Sequence, residues 1–346
     1  MTTYAILYNP GHNRVYFDTS LKLAAAELGI AAGLSSTEYT NIRNENIFGT
    51  NYLIFETCDK LSEKDIKIIS NLSFIYALFE AATIEGELYL KPILRLSASY
   101  VDESIGSILK YTGKTNEIFT RMMLNIAYCS QPCRGNIKLL DPVAGKGTTL
   151  YEGLIKGYNV YGIEIGEKVT AEACTFMKKF LETSRYKFTF NTMKVSGEKK
   201  SFSAVRHTFE IAKTKYDFKS KNTKIAEFIS GNSLYADKLF KRDYFDMIVG
   251  DLPYGIQHGN VTNEKQSSMT RNPAELLNLC VPSWYKVLRR QGVIVLSWNL
   301  NVLSRVKAIQ ILEEKGLVVE NEGFYTQFEH RVDQAIKRDI IVARKP

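Results

Sequence analysis

The sequence predicts a Rossmann-like α/β domain built on a seven-stranded, mostly parallel sheet, preceded by a small α+β domain of ferredoxin-like pattern. Three observations carry this. The chain has 346 residues, enough for two domains, with an ordinary 45% hydrophobic content. From residue 137 onward, short apolar strands alternate with helices, as they do when helices cover both faces of a parallel sheet. Before residue 90 the order reads β-α-β-β-α-β, with one strand expected between 30 and 50. The expected boundaries are 1–90 for the first domain, 91–115 for a connector, and 116–346 for the second, which carries a basic insertion at about 182–225.

In the first domain Tyr4–Tyr8 is strand-like, and Asp18-Thr19-Ser20 caps a helix from Leu21 to Leu28 that stops at Gly29. Tyr52–Phe55 is a second strand, Ser62 caps a helix through Ile69, and Phe74–Phe79 reads as a buried strand. A helix at Asn116–Tyr128 opens the second domain, with Phe119, Met122, Met123 and Ile126 on its apolar face. The seven strands that follow are Ile137–Leu140, Val160–Ile165, Ala226–Ile229, Met247–Val249, Val293–Leu296, Leu317–Phe324 and Ile336–Ala343. Helices are expected at Thr148–Lys156, Glu167–Leu181, Pro273–Arg289 and Leu303–Lys315, the third started by Asn272 with Pro273 at its first position.

Composition narrows the function classes. Charged residues make up 24% and the mean hydropathy is −0.17, against both wholesale disorder and a membrane protein. No apolar run approaches the ~20 residues of a spanning helix, and Met1-Thr2-Thr3-Tyr4 does not begin a secretory signal. Of five cysteines, only Cys129 and Cys133 are close, with no second pair nearby. That pattern predicts reduced thiols in a cytoplasmic protein and no metal site. The net charge of +8 is unevenly spread: residues 1–95 carry 8 basic and 11 acidic groups, whereas 178–225 carry 13 basic and 4 acidic. Aromatics, Tyr186, Phe188, Phe190, Phe202 and Phe209 among them, interleave that basic stretch. Basic groups neutralise phosphates and rings stack on bases, so nucleic acid is the natural partner. The alternative is a solvated basic hairpin whose rings form its own small core.

The loop Asp141-Pro142-Val143-Ala144-Gly145-Lys146-Gly147-Thr148-Thr149 joins the first of the seven strands to a helix. A phosphate-binding loop would need Gly where Leu140 stands and Ser or Thr where Gly147 stands; a dinucleotide fingerprint would need Gly or Ala at Leu150. What remains suits a compact ligand without a pyrophosphate. Gly145 and Gly147 admit close backbone approach, and Asp141 can pair with a cationic head. Glu164, ending the next strand beside Ile165, can chelate ribose hydroxyls, and Gly231-Asn232-Ser233 offers an amide to an adenine edge. All lie at carboxyl ends of strands, where open sheets bind ligands. A cationic head, a ribose and an adenine, in that order, describe S-adenosylmethionine (SAM).

The fourth strand runs into Asp251-Leu252-Pro253-Tyr254-Gly255. Such a turn suits methylation of a planar exocyclic amine, whose lone pair is delocalised into its ring. The Asp251 carboxylate, or a carbonyl of the Pro253 turn, can bond the amino hydrogens and favour the pyramidal form, while Tyr254 stacks on the base. A base from a paired region would first be extruded.

The DPVAGKGTT loop, the GIEI strand and DLPYG together resemble the RNA guanine-N2 methyltransferases, whose catalytic domains often follow a ferredoxin-like domain and a THUMP domain. Thr112–Arg121 resembles the segment that precedes the SAM loop in that group, and the likeness covers roughly 110–345 well and the first 90 residues loosely. The resemblance implies a class I SAM-dependent methyltransferase domain, with Asp251, Pro253 and Tyr254 catalytic. It implies SAM contacts at Asn116, Phe119, Asp141, Pro142, Gly145, Gly147, Thr148, Thr149, Glu164, Ile165, Asn232, Ser233 and Asp251. Two departures stand out: Leu252 occupies a position where many amino-methyltransferases have Pro, and no recognisable THUMP domain is present. RNA docking then falls to the short N-terminal domain or to the basic insertion, with Lys199, Lys200 and Arg206, and the net negative charge of the former favours the latter. His258 and Gly259–Arg271, with Arg271 a substrate contact, read as a substrate lid or as a solvated polar loop.

The expected function is therefore methylation of guanosine N2 in RNA, with tRNA the favoured substrate, by a cytoplasmic protein for which a monomer is favoured and no membrane partner is expected. One alternative is a DNA amino-methyltransferase acting on adenine N6 or cytosine N4. Such enzymes usually carry a large target-recognition region after the catalytic turn, and the 92 residues after Tyr254 are taken up by the remaining strands and helices, which argues against it without excluding it. Another is a non-catalytic RNA-binding protein of the same fold.

Overall fold

The structure is a computed structural model describing residues 1–9, 14–108, 114–198, 201–254, 272–332 and 334–346, with residues 14–20 described by their backbone alone. Its contacts divide into two units, Met1–Ala98 with Asn321–Asp339, and Ser99–Glu320 with Ile340–Pro346.

The first unit runs β1 (Thr2–Tyr8), α1 (Arg14–Ala32), β2 (Tyr39–Ile47), β3 (Thr50–Thr57), α2 (Glu63–Ser70), β4 (Ile75–Ile84) and β5 (Glu87–Ile93). The strands form a five-stranded sheet in the order β2-β3-β1-β4-β5, antiparallel at each pairing. Ser62 starts α2 through a capping box with Asp65, whose carboxylate also accepts from Ser35 and Ser36. Burial works against that carboxylate, yet the hydroxyls of Ser36 and Ser62 hold its pKa below the ordinary value. Gly29 does not end α1 as the sequence suggested. A Cβ there would sit 2.3–2.5 Å from the Phe324 ring, so this glycine is a packing site that the returning segment 321–339 fills. The same return ends the sixth expected strand early, at Glu320 rather than Phe324.

The second unit runs α3 (Ser104–Ile108), α4 (Glu117–Cys129), β6 (Lys138–Asp141), α5 (Thr148–Ile155), β7 (Asn159–Glu164), α6 (Glu167–Thr183), β8 (Lys187–Ser196), β9 (Ser203–Ala212), α7 (Lys215–Lys219), β10 (Lys224–Ser230), α8 (Ala236–Leu239) and β11 (Phe245–Asp251). Beyond residue 271 come α9 (Pro273–Val287), β12 (Leu288–Asn299), α10 (Arg305–Glu314) and β13 (Val318–Glu320); β14 (His330–Arg331) belongs to the segment 321–339 of the first unit, and β15 (Lys337–Arg344) enters the second unit at Ile340. The sheet order is β13-β15-β12-β11-β6-β7-β10-β9-β8, with β14 paired to β15. From β10 to β12 the pairings are parallel, so β6, β7, β10, β11 and β12 all end on one edge.

The expected seven strands are all in this sheet, but among the described residues it has ten. The basic insertion accounts for two of the extra three. In β9, Ala204, Phe209, Ile211 and Ala212 are buried, and the strand pairs antiparallel with β10 while β8 pairs onto β9. The segment thus continues the sheet instead of standing off as a separate hairpin. Behind the parallel strands, Trp284, Phe245, Val287 and Ile311 build a core in which each is at most 1% exposed.

Candidate active site

The loops following β6, β7, β10 and β11 meet at the carboxyl edge of the parallel strands, at the point where the order reverses between β6 and β11. They enclose a cavity of about 240 Å³. Of the residues expected there, Pro142, Glu164, Ile165, Asn232, Ser233, Asp251 and Pro253 line it. Val143, Ile163 and Gly231, which belong to the motifs read in the sequence without being singled out as contacts, line it too, as does Leu276. The first three are neighbours of marked residues, but Leu276 arrives on α9 and no local pattern announces it.

The loop after β6 depends on left-handed backbone. Gly147 has φ +93° and starts α5, and a Cβ on it would lie 2.9 Å from the Phe228 ring; Gly145 has φ +51° with open space where its Cβ would be. Gly145 N–H donates to Glu164 at 3.0 Å, and Gly166 N–H donates to the other Glu164 oxygen at 2.8 Å. Burial raises the Glu164 pKa despite these bonds. Asp141 is 3% exposed, accepts the Val143 N–H at 3.0 Å, and bonds the Thr149 side chain. Burial pushes its carboxyl up to about 7, and the charges of Asp251 and Glu164 add to the rise against those hydrogen bonds. The loop's own cation, Lys146, pairs with Glu172 at 2.7 Å.

Asp251 ends β11 and is held by hydroxyls from three parts of the chain. Thr115 donates to Oδ2 at 2.6 Å, Tyr254 donates to the same oxygen at 2.5 Å, and Ser297 donates to Oδ1. Thr115 lies in the marked segment Thr112–Arg121 and Ser297 in no motif, and nothing local ties either to Asp251, because they lie 136 and 46 residues away along the chain.

Other expected contacts have structural work visible in the fold. Asn116 caps α4 through Ile118 N–H at 2.8 Å and Phe119 N–H at 3.3 Å, and Phe119 is wholly buried, so neither side chain lines the cavity. Thr148 and Thr149 open α5 and are buried. Asn232 accepts from Leu234 N–H with its oxygen, leaving its amide hydrogens to face a ligand. The Ser233 hydroxyl accepts from the Trp284 indole at 2.9 Å. Arg206 sits in β9, where its guanidinium pairs with Glu227 at 2.6 Å and lies over the Phe240 ring. Lys199, Lys200, His258 and Arg271 lie outside the described residues.

Two carboxylates, Glu164 and Asp251, with Asn232 and Ser233 among apolar walls, fit SAM in donor chemistry, and Asp141 is buried in the adjoining loop and not in the lining. A cationic head would offset the burial and the smaller repulsion that raise Asp141, Glu164 has the chemistry to take hydroxyls, and Val143, Ile163, Ile165 and Leu276 offer apolar walls to a ring. Among the described residues no group of three or more His, Cys, Asp or Glu could hold a metal ion, and no helix is long and apolar enough to cross a membrane.

No curated protein matches the chain in sequence. Solved structures resemble it in part. A TehB-like SAM-dependent methyltransferase from Corynebacterium glutamicum is 14% identical, with 62% of this chain and 83% of that one covered at a TM-score of 0.33. The YcgJ protein from Bacillus subtilis is 13% identical, with 64% and 97% covered at 0.36. The T. thermophilus 16S rRNA N2 G1207 methyltransferase, solved with AdoMet and guanosine, is 15% identical, with 90% and 58% covered at 0.35. Similarity at this level is no guide to substrate. The family described as UPF0020, RMKL-like, methyltransferase domain, matches residues 111–302, which take in the whole cavity. The chain belongs to this RMKL-like family and is a SAM-dependent methyltransferase.

Proposed function

We propose that this protein methylates the exocyclic N2 amine of a guanosine in RNA, with tRNA the favoured substrate, in the cytoplasm, and that its first unit is ferredoxin-like. The observation that carries the reading is the Asp251–Tyr254 pair: a carboxylate lining the cavity, bonded by the hydroxyl of an aromatic three residues on. SAM, when bound, supplies an electrophilic methyl group. The rest is the work of the chain. Asp251 accepts a hydrogen from the amine, which draws nitrogen out of conjugation and concentrates its lone pair. Tyr254 swings from Oδ2 to lie on the base, and the place its hydroxyl leaves is open to the amino hydrogen. Pro253 has no N–H and fixes the turn between them. Ser297 and Thr115 keep the carboxylate aimed during the exchange.

The test is methyl transfer from labelled SAM to tRNA, ribosomal RNA and genomic DNA, each from a strain lacking the gene, followed by nucleoside analysis. N2-methylguanosine in tRNA, lost in Asp251→Ala, is the expected result. Label only in DNA adenine or cytosine overturns the substrate. Tight SAM binding with no label in any acceptor favours the non-catalytic reading.

A further inference from the structure

The edge of the sheet beside the cavity has the makings of a docking surface. β8 is the last strand in the order, and none of its ten residues is buried. On one of its faces Phe190 is 41% exposed, and its ring is parallel to that of His207 on β9, at 1° with centroids 6.2 Å apart. Thr192 and His207 hydrogen-bond at 3.1 Å, which fixes the imidazole. Lys194 shares that face, two residues beyond Thr192, while Lys187 and Arg185 flank the strand's start; all three are exposed, and none has a carboxylate partner among the described residues.

This edge is coupled to the cavity through the fold. A Cβ on cavity-lining Gly231 would lie 2.9 Å from Ala204 of β9, and Phe202, just before β9, stacks on Tyr235 at 5.3 Å, two residues beyond Ser233. Because β9 is antiparallel to β10 and to β8, the start of β9 and the end of β8 lie at the edge where the cavity opens.

We propose that the β8–β9 hairpin is the docking edge for single-stranded RNA, with Phe190 and His207 stacking a base and Lys187 and Lys194 neutralising phosphates. The proposal rests on the RNA reading above. Along the open edge the exposed ring of Phe190 stands between Lys187, at the strand's start, and Lys194, on its own face; an unstacked base needs a flat platform and its backbone needs charge alongside. A duplex offers no free base face to such a platform. The hairpin, residues 187–212, carries five basic and two acidic groups and lies within a stretch, 178–225, of 13 and 4, whereas 1–95 is net negative, so the electrostatic complement lies in and around this hairpin.

The experiment measures binding of unfractionated tRNA and of a fluorescent single-stranded RNA oligonucleotide by the full chain, across a salt series. The variants are Phe190→Leu, which keeps packing on Phe209, and the pair Lys187→Ala with Lys194→Ala. SAM binding and melting temperature serve as controls for folding. Phe190→Leu is expected to weaken the oligonucleotide about tenfold. The double lysine variant is expected to flatten the salt slope by about 1.4, the sum for two phosphates on a single strand. Variants that bind both RNAs like wild type overturn the hairpin and leave the RNA reading standing. Equal competition by duplex DNA overturns single-stranded RNA as the occupant. Wild type that binds SAM but neither RNA overturns both.

Discussion

The Ser297 hydroxyl, wholly buried at the end of β12, donates to Oδ1 of Asp251 at the end of neighbouring β11, where the two residues are register partners. The adjoining Leu252 N–H also donates to the Ser297 carbonyl at 2.8 Å, so the turn is tied to β12 by both backbone and side chain. A hydrogen bond to a charged group contributes about 1.5–3 kcal/mol. Ser297→Ala is therefore expected to lower kcat for methyl transfer about tenfold or more. SAM affinity should stay within about twofold of wild type, and Ser297→Thr should restore most of the rate. Loss of SAM affinity in step with kcat would show that Ser297 supports the cavity and not the aim of Asp251.

Tyr254 offers a sharper separation. Its hydroxyl is bonded to Asp251 while its ring is the stacking element of the proposed function. Tyr254→Phe removes the first and keeps the second, so kcat should fall less than about tenfold. Tyr254→Ala removes the ring, and a lost base stack of about 1–3 kcal/mol predicts a fall of about tenfold to a hundredfold. Equal losses in the two variants would make the hydroxyl the working group.

The contrast between these residues shows what local sequence carries. Asp251 and Tyr254 belong to one five-residue turn, as Asp141 and Gly147 belong to one loop, and their nearness in space is legible from spacing alone. Ser297 and Thr115 reach the same carboxylate from distant segments, and their positions follow only from strand register. The core strands of the second unit were legible because they are short apolar runs between helices. β8 was not, since its exposed residues include Lys, Thr and Asn as well as rings, and it becomes a strand only by pairing with β9. Gly29 was misread as a stop signal because its true partner, Phe324, is almost 300 residues away in the chain.

Asp141 predicts a pH dependence of cofactor binding. Its carboxyl is raised to about 7 by burial and by Asp251 and Glu164, and only the ionised form can pair with a cationic head. Raising the pH from about 6 to about 8 should therefore tighten SAM about tenfold. The stability of the free protein should move the other way. A folded-state pKa above the unfolded value gives stability that is complete below about 4 and is lost as pH rises through about 7. Asp141→Asn should flatten both profiles, weaken SAM at pH 8 and raise the melting temperature of the free protein there. Calorimetric titration and thermal melts at the two pH values measure this. An affinity independent of pH in wild type would remove Asp141 as the partner of the head group.

Lys345 carries a prediction about stability alone. It is 4% exposed, and its Nζ donates to the carbonyls of Tyr285 at 2.9 Å and Leu288 at 2.6 Å and to Asp243 at 2.7 Å. The two carbonyls lie at the carboxyl end of α9, where a cation meets the negative end of the helix dipole and satisfies acceptors the helix leaves open. Lys345→Met keeps the bulk of the side chain and strands those acceptors. Asp243 is 42% exposed and its pairing is screened by solvent, so most of the cost comes from the carbonyls. The expected loss is about 2 kcal/mol, or a fall in Tm of ~4–8 °C. The hydrogen bond from Lys345 holds the Asp243 carboxyl below its ordinary range, so that part of the stabilisation is present above the unfolded value and lost as pH falls through the lower folded one. The gap between wild type and variant should narrow in acid. SAM affinity should not change, because Lys345 sits against the start of β12 while the cavity opens beyond its far end, past Ser297.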